Sequence, residues 1–145
     1  MRIVVVAVGR IKDPPLRASV DEYLKRVRRY LPCDEVELKD EPAARLAPTI
    51  ARATTGASVI ALEVGGRVHD SPAFARAIQR LGSRGKGVMA FVIGGADGIP
   101  PETSRAAHEQ WSLSALTFPH RLARLVLVEQ IYRAMTILRG EPYAH

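Results

Sequence analysis

The stretch MRIVVVAVGR, residues 1–10, decides the fold class. From Arg2 to Val8 it is a nearly unbroken apolar run, rich in valine and closed by Gly9. Such a run predicts a strand covered on both faces, and strands of that kind belong to parallel sheets flanked by helices. Two more runs of this type follow, over 58–64 and 88–93, each ending in a glycine pair, Gly65 with Gly66 and Gly94 with Gly95. Helical patterns lie between them. Asp13 is placed to cap a helix with Pro14 and Pro15 in its first turn, and Leu16, Val20, Leu24, Val27 and Leu31 recur at helical spacing. Residues 43–54 read as a second helix closed by Gly56. Asp70 or Ser71 caps a third, with Pro72 at its start and Phe74, Ile78 and Leu81 on its inner face. Residues 34–39 alternate Val36 and Leu38 with charges, as a half-exposed edge strand does. After Gly98 and two prolines a short helix is expected around 102–109. Residues 112–118 are open between a last strand and an extended loop, and 120–139 form one long helix stopped by Gly140. The alternation predicts an α/β fold: an open, mostly parallel sheet of about five strands with helices on both faces, in a single domain over 1–145.

Composition narrows the function classes. The 145 residues are 47% apolar and 25% charged, which excludes disordered and fibrous chains. No apolar run approaches the ~18 to 20 residues that span a bilayer, and the opening run is too short for a signal peptide, so a cytoplasmic protein without a membrane partner is expected. Cys33 is the one cysteine, read as a half-buried thiol; His69, His108, His120 and His145 lack metal-ligand spacing, so no metal is expected. The net charge is +6, and 17 of the 21 basic residues are arginine, whose planar fork suits phosphate, although a GC-rich genome also favours arginine. Arg76, Arg80 and Arg84 form an i, i+4, i+8 stripe on the third helix, and Lys25, Arg26, Arg28 and Arg29 a basic face on the first. In the last helix Leu122, Leu125, Val126, Leu127, Val128, Ile131, Met135, Ile137 and Leu138 cover more circumference than one sheet face can bury. A second copy of the chain is the expected cover, hence a homodimer.

Ligands of open α/β sheets bind beyond the carboxyl ends of the strands, where the glycine pairs are placed. Those glycines serve either a tight turn or the close approach of a flat ligand, whose space a Cβ would occupy. No G-x-G-x-x-G follows the first strand, and phosphate-loop and nucleophile-elbow motifs are absent. His120, directly after Pro119, opens the last helix in the stretch that follows the glycine-rich strand ends.

Read together, FVIGGADGIP, WSLSALTFPH, the start VAVGRIKD, the helix DEYLKRVRRY and the terminal EPYAH make the chain resemble, over almost its whole length, the RlmH family of SPOUT-class methyltransferases. The resemblance implies transfer of a methyl group from S-adenosylmethionine to N3 of a pseudouridine in 23S ribosomal RNA, a trefoil-knotted fold and a homodimer. It implies cofactor contacts at Leu62, Gly94, Gly95, Leu113, Ser114, Ala115, Leu116, Thr117 and Phe118. His120 or His145 then takes the imide proton, Arg133 offsets the developing anion and Tyr143 positions the base. Where relatives usually read P-Y-H, this chain reads Pro142, Tyr143, Ala144, His145, so His145 either substitutes after a one-residue shift or is dispensable. An assembled ribosome is the expected substrate, since no separate RNA-reading module is present. The competing expectations are a non-catalytic ribosome- or RNA-binding protein and a small flavodoxin-like protein, the latter lacking its acidic surface or phosphate loop.

Overall fold

The order of elements, seen in a computed structural model that describes residues 1–143, is β1 (Arg2–Val8), α1 (Pro14–Val27), β2 (Cys33–Leu38), α2 (Ala43–Ala53), β3 (Ser58–Val68), α3 (Ser71–Gly82), β4 (Val88–Ile93), α4 (Pro101–Ala106), β5 (Glu109–Ser112) and α5 (His120–Arg139). The five strands form one sheet in the order β2-β1-β4-β3-β5, parallel at every pairing. Strand alternation sorts the core into two layers. Ile3, Val5, Met89, Phe91 and Ile60 face α1, α3 and α5, whereas Val6, Val8, Val92 and Ala61 face Leu46 and Ile50 of α2. Asp13 caps α1 by accepting from the Leu16 N–H at 3.1 Å. At α3 the cap is Asp70, which accepts from the Ala73 N–H at 2.8 Å, while the Ser71 hydroxyl donates to Gln130 of α5 at 2.7 Å.

Two expected elements are corrected. The helix expected around 102–109 ends at Ala106 and Glu109–Ser112 form the last strand, β5, so that of the two readings left open for 112–118 the loop holds beyond Ser112. His108 immediately precedes that strand: its N–H donates to the Val59 carbonyl at 2.9 Å, and its ring Nδ1 accepts from the Val59 N–H at 2.9 Å, a side chain extending the ladder. Secondly, β3 does not stop at its glycine pair but continues to Val68, with Leu62 and Arg67 both opposite Trp111, so that residues between them swing out. A Cβ on Gly66 would stand 2.7 Å from the Trp111 carbonyl carbon, so glycine is needed there for close backbone approach.

β2 is the half-exposed edge strand that its alternation predicts, and two of its carboxylates are drawn into ion pairs. Glu35 and Glu37 share strand parity with Cys33 and point toward α1 and α5. Arg17 of α1 pairs with Glu35 at 2.6 Å and Glu37 at 3.1 Å. Arg124 of α5, only 1% exposed, pairs with Glu35 at 3.1 Å and with Glu37, and donates to the Gly9 carbonyl at 3.0 Å. Cys33 is fully rather than half buried, and burial pushes its thiol up to about 12.

The last helix buries Leu127, Val128, Ile131 and Met135 but leaves Leu122 and Ile137 exposed at 44% and 41%. Leu127→Ala should therefore cost about 2–5 kcal/mol of stability when unfolding by urea is measured. Arg124→Ala, which strips two carboxylates of a buried partner, should cost about 3–5 kcal/mol in the same measurement.

Candidate active site

A cleft of about 350 Å³ opens at the carboxyl ends of β3, β4 and β5. One wall is the turn after β4. There the Gly98 N–H donates to the Gly95 carbonyl at 3.0 Å, and Gly98 adopts a φ of +79°, which an L side chain strains to reach. A Cβ on Gly94 would lie 2.4 Å from the Gly98 carbonyl carbon and 2.5 Å from the Ile99 nitrogen; one on Gly95 would lie 3.1 Å from Val8 Cγ1. The glycines thus let the turn close on itself and on β1. Of the two uses expected of these glycines, the tight turn is the one these contacts require.

The opposite wall follows β5. The Ser112 hydroxyl donates to the Ser114 carbonyl at 2.8 Å, and the Ser114 hydroxyl accepts from the Leu116 N–H at 3.0 Å, so the serines bend the chain into a local turn instead of extending the strand. Leu116 and Val64, 71% and 54% exposed, stand among the lining residues as large apolar side chains open to solvent.

Of the residues expected to contact a cofactor, Leu62, Gly94, Gly95, Leu113, Ser114, Leu116, Thr117 and Phe118 line this cleft, and Ala115 does not. His120 joins them from the first turn of α5, half-buried, with Nε2 4.0 Å from where a Cβ on Gly9 would stand. Residue spacing did not single out Glu63, Ser112 or Ala123, which also line it. Glu63 is the one carboxylate in the lining, brought there by the excursion of β3 that sequence periodicity cannot reveal.

Arg133 and Tyr143 are not in the cleft. Arg133 is thirteen residues beyond His120 along α5, roughly 20 Å at 1.5 Å per residue. Its guanidinium donates to Glu129 at 2.8 Å and stacks over the Tyr143 ring at 4.5 Å. The Tyr143 hydroxyl donates to Glu129 at 3.0 Å, has the Tyr23 hydroxyl 3.4 Å away, and the ring packs edge-on against Tyr132 at 4.8 Å. Burial, reinforced by those two hydrogen-bonding neighbours, raises the phenol above its ordinary range. The tail as far as Tyr143 is laid along α1 and α5. His145 lies outside the described residues. Among the described residues no group of three His, Cys, Asp or Glu side chains could hold a metal ion.

The sequence pattern of the family described as "Predicted SPOUT methyltransferase" matches residues 1–145. The chain belongs to the SPOUT methyltransferase family. Within it, a protein named ribosomal RNA large subunit methyltransferase H from Sorangium cellulosum is 68% identical over 145 residues, covering 100% of both chains. Proteins of the same name from Anaeromyxobacter dehalogenans and Shouchella clausii are 46% and 37% identical, over 99% of each chain. Solved structures share the fold at low identity. A probable methylase family protein from Haemophilus influenzae superposes with a TM-score of 0.59 at 12% identity, over 99% of this chain and 70% of the other. A tRNA (m1G37) methyltransferase from Aquifex aeolicus gives 0.58 at 13% identity, over 100% and 74%.

The two glycines of the turn should respond differently. Gly94→Ala must push apart a backbone contact, so it should lower stability by about 1–3 kcal/mol and weaken any ligand of the cleft. Gly95→Ala meets Val8 Cγ1 at 3.1 Å, a wider gap than the 2.4 Å at Gly94, and should cost less; thermal unfolding of both variants checks the order.

Proposed function

We propose that the chain methylates N3 of a pseudouridine in 23S ribosomal RNA, using S-adenosylmethionine, as a homodimer acting on the assembled ribosome. The observation that carries this is the coincidence of a full-length relative at 68% identity, named for ribosomal RNA methylation, with a cleft built from the segments expected to hold the cofactor. The cleft suits that cofactor chemically. Leu62, Ile93, Leu113 and Phe118 offer apolar walls for a flat base, and Glu63 complements a ligand that carries positive charge. When bound, S-adenosylmethionine supplies a methyl group on a sulfonium whose sulfur leaves as a neutral thioether.

The chain's own contribution is then alignment and removal of one proton. Orientation supplies roughly 7–11 kcal/mol in reactions of this kind, and a positioned base a factor of about 10² to 10⁴. His120, at the cleft and held beside Gly9, is placed to take the N3 proton. Arg133, far along the same helix, and Tyr143, in the tail beyond it, lie too far away to act in that cleft, so their roles as anion stabiliser and positioning group require a second protomer. Leu122 and Ile137, apolar and exposed on α5, support such pairing. A knotted path through the residues that form the cleft is part of the same proposal, as is a location in the cytoplasm.

Calorimetry with S-adenosylmethionine, sedimentation, and transfer of labelled methyl to ribosomes test it together. A chain truncated before Tyr143 should bind the cofactor nearly as the full chain does and lose at least ~10²-fold in methyl transfer. His145→Ala separates the tail histidine from His120: a large loss assigns it the base, a small one leaves that role to His120. A stable monomer that methylates ribosomes at full rate would refute the shared site, and no cofactor affinity at all would favour a non-catalytic RNA-binding protein.

A further inference from the structure

A second recess, of about 530 Å³, lies between α3 and the paired strands β3 and β5, bordered by Arg67, His69, Arg76, Arg80, Glu109 and Gln110. Its anionic group is already engaged. Glu109 accepts from Arg80 at 2.9 and 3.2 Å and from the Trp111 indole N–H at 2.9 Å, and the Arg80 guanidinium above all, with Trp111 and Arg84, holds its carboxyl below the usual range. Asp70, nearby in the chain, is occupied in capping α3.

The cationic side is not engaged. Arg67 and Arg76 are exposed, and neither forms an ion pair or hydrogen bond with any described residue. His69, packed on Trp111 with ring centroids 4.6 Å apart, has a buried Nδ1 without a hydrogen-bond partner. Burial first, and Arg67 second, keep that ring below its ordinary range. Two unpaired guanidinium forks and a ring nitrogen lacking a partner surround a recess whose carboxylate is neutralised in place. Guanidinium forks of this kind match the oxygens of a phosphate.

We propose that this recess docks a backbone phosphate of the RNA strand whose target base enters the cleft, with Arg67 and Arg76 as its ligands. The identity of the strand rests on the methyl-transfer function proposed above; the anion chemistry of the recess does not. Glu109 borders the recess and Ser112 lines the cleft, three residues apart on one strand and so about 10 Å at 3.3 Å per residue, a gap one RNA strand can bridge. The expected stripe of Arg76, Arg80 and Arg84 is thereby redrawn. Arg80 is a wall held by Glu109, Arg84 lies past the end of α3, and Arg67 enters from β3.

The test is binding of the full chain to purified large ribosomal subunits over a range of salt. Wild type is compared with Arg67→Ala, Arg76→Ala, the double variant, and Arg45→Ala as a control on the exposed side of α2. Each recess substitution should flatten the salt dependence by about one unit of slope, and the double variant should bind at least about tenfold more weakly. Arg45→Ala should change neither, and affinity for S-adenosylmethionine should be the same in all five proteins. A double variant that binds subunits with wild-type affinity and slope overturns the proposal, as does an equal loss in Arg45→Ala or a wild type that does not bind subunits. If inorganic phosphate stabilises wild type but not the double variant while subunit binding is unchanged, the recess serves small anions and the RNA proposal also fails. Failure of the methyl-transfer function shows separately, as a wild type that binds subunits through the recess yet has no affinity for S-adenosylmethionine.

Discussion

A guanidinium taken almost wholly out of water holds its place only while its partners stay fixed, and Arg124 draws its partners from separate parts of the chain. Glu35 and Glu37 come from the edge strand β2, and the Gly9 carbonyl from just past the end of its neighbour β1. Desolvating such an ion costs several kcal/mol, offset only by good geometry, so α5 cannot slide or rotate by one residue without stranding charge on both sides. His120 lies one helical turn before Arg124. The constraint that fixes the helix therefore also fixes the imidazole at the rim of the cleft. Arg17 shares the same two carboxylates and ties α1 into the arrangement. An apolar replacement of similar volume could match the stability while giving up this single register.

The cleft itself comes from small solutions at three strand ends. Beyond β4, glycines permit a turn tight enough that added carbons collide with its own backbone. Beyond β5, two serines replace ladder hydrogen bonds with turn hydrogen bonds. Within β3, a shift of register moves Glu63 and Val64 out of the sheet and into the lining. The turn after β4 and the serine turn after β5 are largely local, whereas the shift in β3 exists only against Trp111 of β5.

That difference between local and distant causes explains what was legible in the sequence. Asp13 as a cap, the buried runs of β1 and β4 and Gly140 as a helix stop are local, and they are where their residues put them. Most of the cleft was legible for the same reason, because Gly94, Gly95 and 113–118 are short segments next to strong strands. What failed depends on pairing across the chain. Alternation in β2 told which residues share a face but not that Glu35 and Glu37 would be paired, since their partner Arg124 stands 89 residues away from Glu35. Nor could periodicity show that His108 would extend a ladder with Val59, or that Arg133 and Tyr143 would sit apart from His120.

The strand order carries a consequence for synthesis. A chain made from its amino end can pair β1 with β2 early, but β3 must wait for β4, which inserts between it and β1. Until residues 88–93 leave the ribosome, one hydrogen-bonding edge each of β1 and β3 lacks a neighbour, the kind of open edge that invites aggregation or chaperone capture. Arg124 arrives later still, so Glu35 and Glu37 pass most of translation with Arg17 as their nearest available counter-charge. The nascent chain should consequently mature in one late, cooperative step rather than strand by strand.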